Sequence, residues 1–132
     1  MQDCSASLEV QVQFDEVDSF RIVHHAKLVV YLERARLVLL KSLGFPLAKP
    51  EFAVVLYSLR LDFKKPARLL ESLHVISKIE RVEGFKLVLS ERIQRGTQLL
   101  LKAATEIAFV QLTDLAPVPV ELALPGWPGL ES

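Results

Sequence analysis

The stretch FDEVDSFRIVHHAKLVVYLERAR, residues 14–36, decides how the rest of the chain is read. Leading into it, Leu8-Glu9-Val10-Gln11-Val12-Gln13-Phe14 alternates apolar and polar residues, the pattern of a strand with one buried face. Asp15, Glu16 and Asp18 then crowd one turn, and His24 and His25 follow. From Ala26 to Leu43 the period changes: Lys27, Arg34 and Lys41 recur every seven residues on one narrow stripe, and nearly everything else is apolar. A helix with so little polar surface must be covered on most of its sides. Glu33 and Arg36 lie off that stripe at i, i+3 spacing and are expected to pair with each other. Gly44 reads as a C-cap, with Pro46 just beyond it.

After Pro50 the period returns to two. Val55, Tyr57, Leu59, Leu61 and Phe63 form one face of a strand, with Ser58, Arg60 and Asp62 on the other, and Pro66 ends the run. Leu73 to Val82 reads as the next strand and Glu83-Gly84 as a turn. Phe85, Leu87, Leu89 and Ile93 against Lys86, Ser90 and Arg92 give another, and Arg95-Gly96 is a hairpin signal. Leu99 to Leu112 begins with good helix formers, but Ile107, Phe109 and Val110 and the waiting hairpin partner favour a strand. The tail APVPVELALPGWPGL is too rich in proline for regular structure and is expected to lie over the surface. The order is one strand, one long helix, then four antiparallel strands. That makes an α+β fold in which the sheet curls round the helix.

At 132 residues the whole chain, 1–132, is expected to be a single domain. Hydrophobic residues make up 51% of it and mean hydropathy is +0.31. No apolar run reaches the ~18 residues of a membrane span, so the excess points to a subunit interface, and open strand edges invite a homo-oligomer, dimer or tetramer. Sixteen basic residues balance sixteen acidic ones, which argues against nucleic acid as a partner. The start, MQDCSASLEV, lacks the basic and apolar regions of a secretion signal, and Cys4 has no internal partner. A cytoplasmic location is expected.

Strand, acidic turn, histidine and buried helix together resemble the hotdog-fold acyl-CoA thioesterases of the 4-hydroxybenzoyl-CoA thioesterase type. The small bacterial enzymes associated with the Tol–Pal system are among them. Phe14 stands at the family's aromatic, Glu16-Val17-Asp18 at D-T-D, Ile22-Val23-His24-His25 at V-V-Y-H, and Glu33-Arg34-Ala35-Arg36 at E-x-A-R. Phe63, Pro66 and Ala67 are similar to F-x-x-P-A, and FVQLTDLAPVPVEL to the closing strand and proline tail. Arg21 replaces the family glycine, Val17 the threonine, and Leu28 an aromatic. A glycine there would suit a positive φ, a poor position for arginine.

The resemblance implies a five-stranded antiparallel hotdog sheet round one central helix, and hydrolysis of an acyl-CoA or acyl-carrier-protein thioester to free acid and thiol. It gives Asp18 the role of nucleophile or general base, His25 that of positioning the carboxylate or substrate, and the helix-start N–H groups the thioester oxygen. Asp18 can equally be a turn residue bonding its own backbone. Lys64, Lys65 and Arg68 read either as contacts to coenzyme A phosphates or as a solvated turn. Arg36 is a candidate to polarise a carbonyl, or else a structural tie. Arg21 is expected to pair with Asp15 or Glu16. No cofactor is implied, and no third ligand is spaced to join the adjacent histidines in a metal site. Two rival readings remain: a non-catalytic binder of acyl-CoA or acyl carrier protein, and a polyketide-pathway thioesterase acting on carrier-bound chains.

Overall fold

The computed structural model describes residues 4–47 and 51–129. Its elements are β1 (Ser5–Gln11), a 3-10 turn (Phe14–Glu16), α1 (His25–Ser42), β2 (Phe52–Phe63), β3 (Ser72–Glu83), β4 (Lys86–Arg95), β5 (Gln98–Gln111), β6 (Pro117–Val118) and α2 (Val120–Ala123). The long strands form an antiparallel sheet in the order β1-β3-β4-β5-β2, and β6 adds to β5. This is the expected α+β architecture, one long helix on an antiparallel sheet. The chain leaves β1 at one edge, crosses through α1, and enters the sheet again at the opposite edge as β2. No helix among the described residues is long and apolar enough to cross a membrane.

Helix α1 buries Leu28, Tyr31, Leu32, Ala35, Arg36, Leu39 and Leu40, an i, i+3, i+4 pattern that faces the sheet. Val30 and Val38 remain exposed on the other side, so the chain itself covers one face of the helix and not most of it. The C-terminus closes as a Schellman turn. Gly44 takes φ 90° and donates to Lys41 O, while Phe45 N–H reaches Leu40 O at 3.0 Å. Phe45 and Leu40 then share one core cluster with Leu87, Leu89 and Phe109.

Three expectations need correction. The first strand runs over 5–11 and not 8–14; Phe14 leaves the sheet in the 3-10 turn and is 81% exposed. In β2, Tyr57 is a bulge between Leu56, paired with Ile107, and Ser58, paired with Glu106. One extra residue flips the side-chain parity, so Leu59 and Leu61 share a face with Val54 and Leu56 and not with Val55. The tail is also ordered. Val118, Val120, Ala123 and Leu124 are buried in the core, because prolines suit a short edge strand and a helix start. The break expected at Pro50 lies outside the described residues.

The pairing of Glu33 with Arg36 is replaced by a stronger one. Glu33 is exposed, whereas the guanidinium of Arg36 turns into the core and meets Glu91 of β4 through Nε at 3.1 Å and Nη2 at 2.8 Å. Ser77 and Thr105 hydroxyls donate to the same carboxylate at 2.6 and 2.7 Å. Glu91 is 1% exposed, so its charge is held by four donors and not by water. Replacing Glu91 by leucine strands the Arg36 charge. The expected loss of stability is about 3–5 kcal/mol in urea unfolding, partly recovered when Arg36→Leu is added. A loss below about 1 kcal/mol would show that the pair does not hold the helix.

Candidate active site

The acidic turn is built from its own hydrogen bonds. Asp18 Oδ1 accepts from the amides of Phe20 at 2.8 Å and Ile22 at 3.2 Å. Asp18 N–H donates to Ile22 O, Arg21 N–H to Asp18 O, and Val17 bridges Val23. Asp18 is thus a turn residue through one oxygen, while Oδ2 has no protein partner among the described residues. Both readings of Asp18 are served by one side chain. Arg21 closes the turn at φ 64°, the left-handed region that glycine tolerates best. It is exposed and forms no ion pair with Asp15 or Glu16 among the described residues, against expectation.

A second loop holds this turn in place. Val23 N–H donates to Ala67 O, Leu69 N–H to Arg21 O, and Ile22 bridges Arg68. The Arg68 amide donates to Glu71, whose carboxylate also meets Arg95 at 2.7 Å. Lys64 and Lys65 are set by β5: Leu100 is a bulge, and its carbonyl accepts both their amides, at 2.8 and 3.1 Å. A hollow of about 210 Å³ results, lined by Ile22, His25, Leu28, Phe63, Lys64 and Pro66 among others. His25 opens α1, and its ring stands 4.9 Å from that of Phe63. No side chain caps this helix end, so its first amides are left as donors beside the hollow.

The structure therefore gathers Asp18, His25, Lys64, Lys65 and Arg68 at one end of the molecule. Arg36 is not part of this group; its guanidinium is committed to Glu91 and is not available to polarise a carbonyl. Two residues with no assigned role in the sequence emerge here. Glu16 is buried, and its Oε1 accepts the Tyr31 hydroxyl at 2.7 Å and the Gln13 amide at 2.9 Å. Burial, and next the bond to Glu16, hold the Tyr31 phenol well above its ordinary range. The signal was a tyrosine at a buried helix position, where its hydroxyl needs a partner. A larger depression, about 470 Å³, lies on the sheet among Arg60, Asp62, Glu80, Arg81, Lys102 and Glu106. Its cations and acids balance, and it shares no residue with the gathered group.

An antiparallel sheet crossed by one long helix, with an acidic turn delivered to the helix start, is the arrangement of a hotdog-fold thioesterase. The family model of the thioesterase superfamily matches residues 20–102, and the chain belongs to that superfamily as a thioester hydrolase. It is 31% identical over 122 residues to the acyl-CoA thioesterase YbgC of Haemophilus influenzae, spanning 89% of this chain and 90% of that protein. The acyl-CoA thioester hydrolase YbgC of Escherichia coli O157:H7 is 31% identical over 113 residues, 83% of this chain and 84% of that one. Among solved structures, the DHNA-CoA thioesterase of Staphylococcus aureus superposes with a TM-score of 0.82 at 20% identity, over 93% of this chain and 85% of that one.

Arg21→Gly relieves the positive φ at some entropic cost in the unfolded chain. The expected net gain is about 0.5–1 kcal/mol in urea unfolding, with turnover undiminished. A clear fall in turnover would show that the arginine itself serves the reaction.

Proposed function

We propose that the chain hydrolyses acyl-CoA thioesters, with Asp18 as nucleophile or general base. The observation that carries this is the division of labour at Asp18: one oxygen is tied into the turn by the Phe20 and Ile22 amides, the other has no protein partner among the described residues, and the chain runs on from this turn into the uncapped start of α1. As a nucleophile, Oδ2 adds to the thioester carbonyl, the C–S bond breaks, and the coenzyme A thiolate leaves. Water then cleaves the acyl anhydride to free acid and restores the carboxylate. As a base, Oδ2 takes a proton from water while the oxygen adds to the same carbon. In either case negative charge builds on the carbonyl oxygen, where the amides at the start of α1 can receive it. His25 borders the reacting group, and Lys64, Lys65 and Arg68 supply charge for the phosphates of coenzyme A. The closed turn around Arg21 favours hydrolysis over a binding-only protein, because substitution of the family glycine leaves the Asp18 hydrogen bonds intact.

Asp18→Asn keeps an oxygen for the Phe20 and Ile22 amides and removes only the charge. Thiol release from acetyl-, palmitoyl- and benzoyl-CoA is expected to lose about 10²-fold or more in kcat with KM little changed. Asp15→Asn, exposed on the same turn, is expected to cost far less. Wild-type turnover in Asp18→Asn would overturn the mechanism. Release confined to carrier-bound acyl groups would overturn the choice of coenzyme A.

The functional unit we propose is a homodimer joined along β2, with association into a tetramer as a further step. β2 pairs only with β5 among the described residues, and Val55, Leu56, Tyr57 and Phe63 along it are exposed, Tyr57 at 56%. A long apolar edge of this kind is a template for pairing. Light scattering at micromolar concentration is expected to report a dimer or larger; a monomer would sink the assembly.

A further inference from the structure

We infer that Glu16 and Tyr31 are a positioning pair for the reaction, an inference that rests on the Asp18 mechanism proposed above. Glu16 is the one residue that grips both halves of the site. Its side chain reaches the Tyr31 hydroxyl in the middle of α1 at 2.7 Å, and its backbone carbonyl accepts the amide of His24, the cap of that helix, at 3.1 Å. The same carboxylate oxygen accepts the Gln13 amide at 2.9 Å, which locks the 3-10 turn from its front end. Asp18 follows Glu16 by two residues and His25 follows His24 by one, so the clamp sets the height of the carboxylate against the first amides of α1.

Glu16 is buried and Tyr31 fully so, and the phenol is spent on the carboxylate, so the pair acts through other groups and does not touch substrate. Its chemistry argues for purpose. Sinking a carboxylate and a phenol into an interior otherwise made of Val12, Leu28, Leu32 and Ala35 is a costly way to fill space, and an apolar pair would pack there more cheaply. What the polar pair adds is direction: a bond of fixed length between a loop and a helix, where packing alone would let the loop slide. Burial, and next the bond to Glu16, raise the pKa of Tyr31 and keep its proton on the hydroxyl, so the phenol serves as the donor of the pair.

The test is a double-mutant cycle between Tyr31→Phe and Asp18→Asn, read by thiol release from whichever of acetyl-, palmitoyl- and benzoyl-CoA the wild type turns over fastest. Tyr31→Phe removes one oxygen and is expected to lower kcat about 10- to 100-fold, the cost of a small misplacement, with KM within about two-fold. Because it acts through Asp18, it is expected to add no further loss in the Asp18→Asn background. Glu16→Ala should match the loss, and Glu16→Gln should restore most of it, since the amide oxygen can accept both bonds. That contrast stands even if Tyr31→Phe fails to fold. Full kcat in Tyr31→Phe, additive losses in the double variant, or no difference between Glu16→Ala and Glu16→Gln would each overturn the positioning role. If Asp18→Asn is inactive and Tyr31→Phe runs at full speed, only this inference falls. If Asp18→Asn keeps wild-type turnover, the mechanism itself is withdrawn and the pair's role goes with it.

Discussion

A buried carboxylate sets the relation between the helix and the sheet. Glu91 sits on β4 amid Leu87, Leu89 and Ile93, and nothing but protein can answer its charge. Arg36 from α1, Ser77 from β3 and Thr105 from β5 all turn to it. Four neighbouring elements therefore meet at one group whose hydrogen bonds are directional, which apolar packing is not. Leucines can slide past one another by a fraction of an ångström; a bidentate guanidinium on a carboxylate cannot. With that register fixed, the start of α1 lies where the acidic turn and the loop after β2 can reach it.

At that end of the molecule the backbone is used unusually. Arg21 and Leu70 both hold positive φ without being glycine, and the two loops they belong to are laced by Leu69 N–H to Arg21 O and by Leu70 N–H to Val12 O. Strain of this kind persists where surrounding bonds over-determine the chain, and here they do. Arg21 takes this conformation with its side chain exposed and so puts a cation on the outside of the turn.

Much of this was legible in the residues. The change of period at Ala26 marked the helix to within a residue or two, and the alternation in 73–82 and 86–93 marked the central hairpin. The Asp18-to-His25 spacing picked out two residues that the fold sets at one end of the molecule. Bulges were not legible, because the extra residue at Tyr57 or Leu100 differs in no way from its neighbours; only the partner strand reveals it. Glu91 stood on the buried parity of its strand and Arg36 on the buried face of its helix, yet neither position names its partner. Their partnership spans 55 residues and exists only once the fold is made. The tail was misjudged because proline was read as a breaker, when at an edge strand and before a helix it is at home.

The Leu100 bulge ties the loop after β2 to the sheet. A ladder residue spends its carbonyl on its neighbour; a bulged one has it to spare, and Leu100 lends it to the two lysines. The backbone of Lys64 and Lys65 is thus fastened to an inner strand of the sheet. Any twist in the β4–β5 hairpin is carried to the backbone of the two lysines, while their exposed side chains keep their own rotamers. A chain built this way can shift where that loop sits by altering the hairpin, with no exchange of residues in the loop itself.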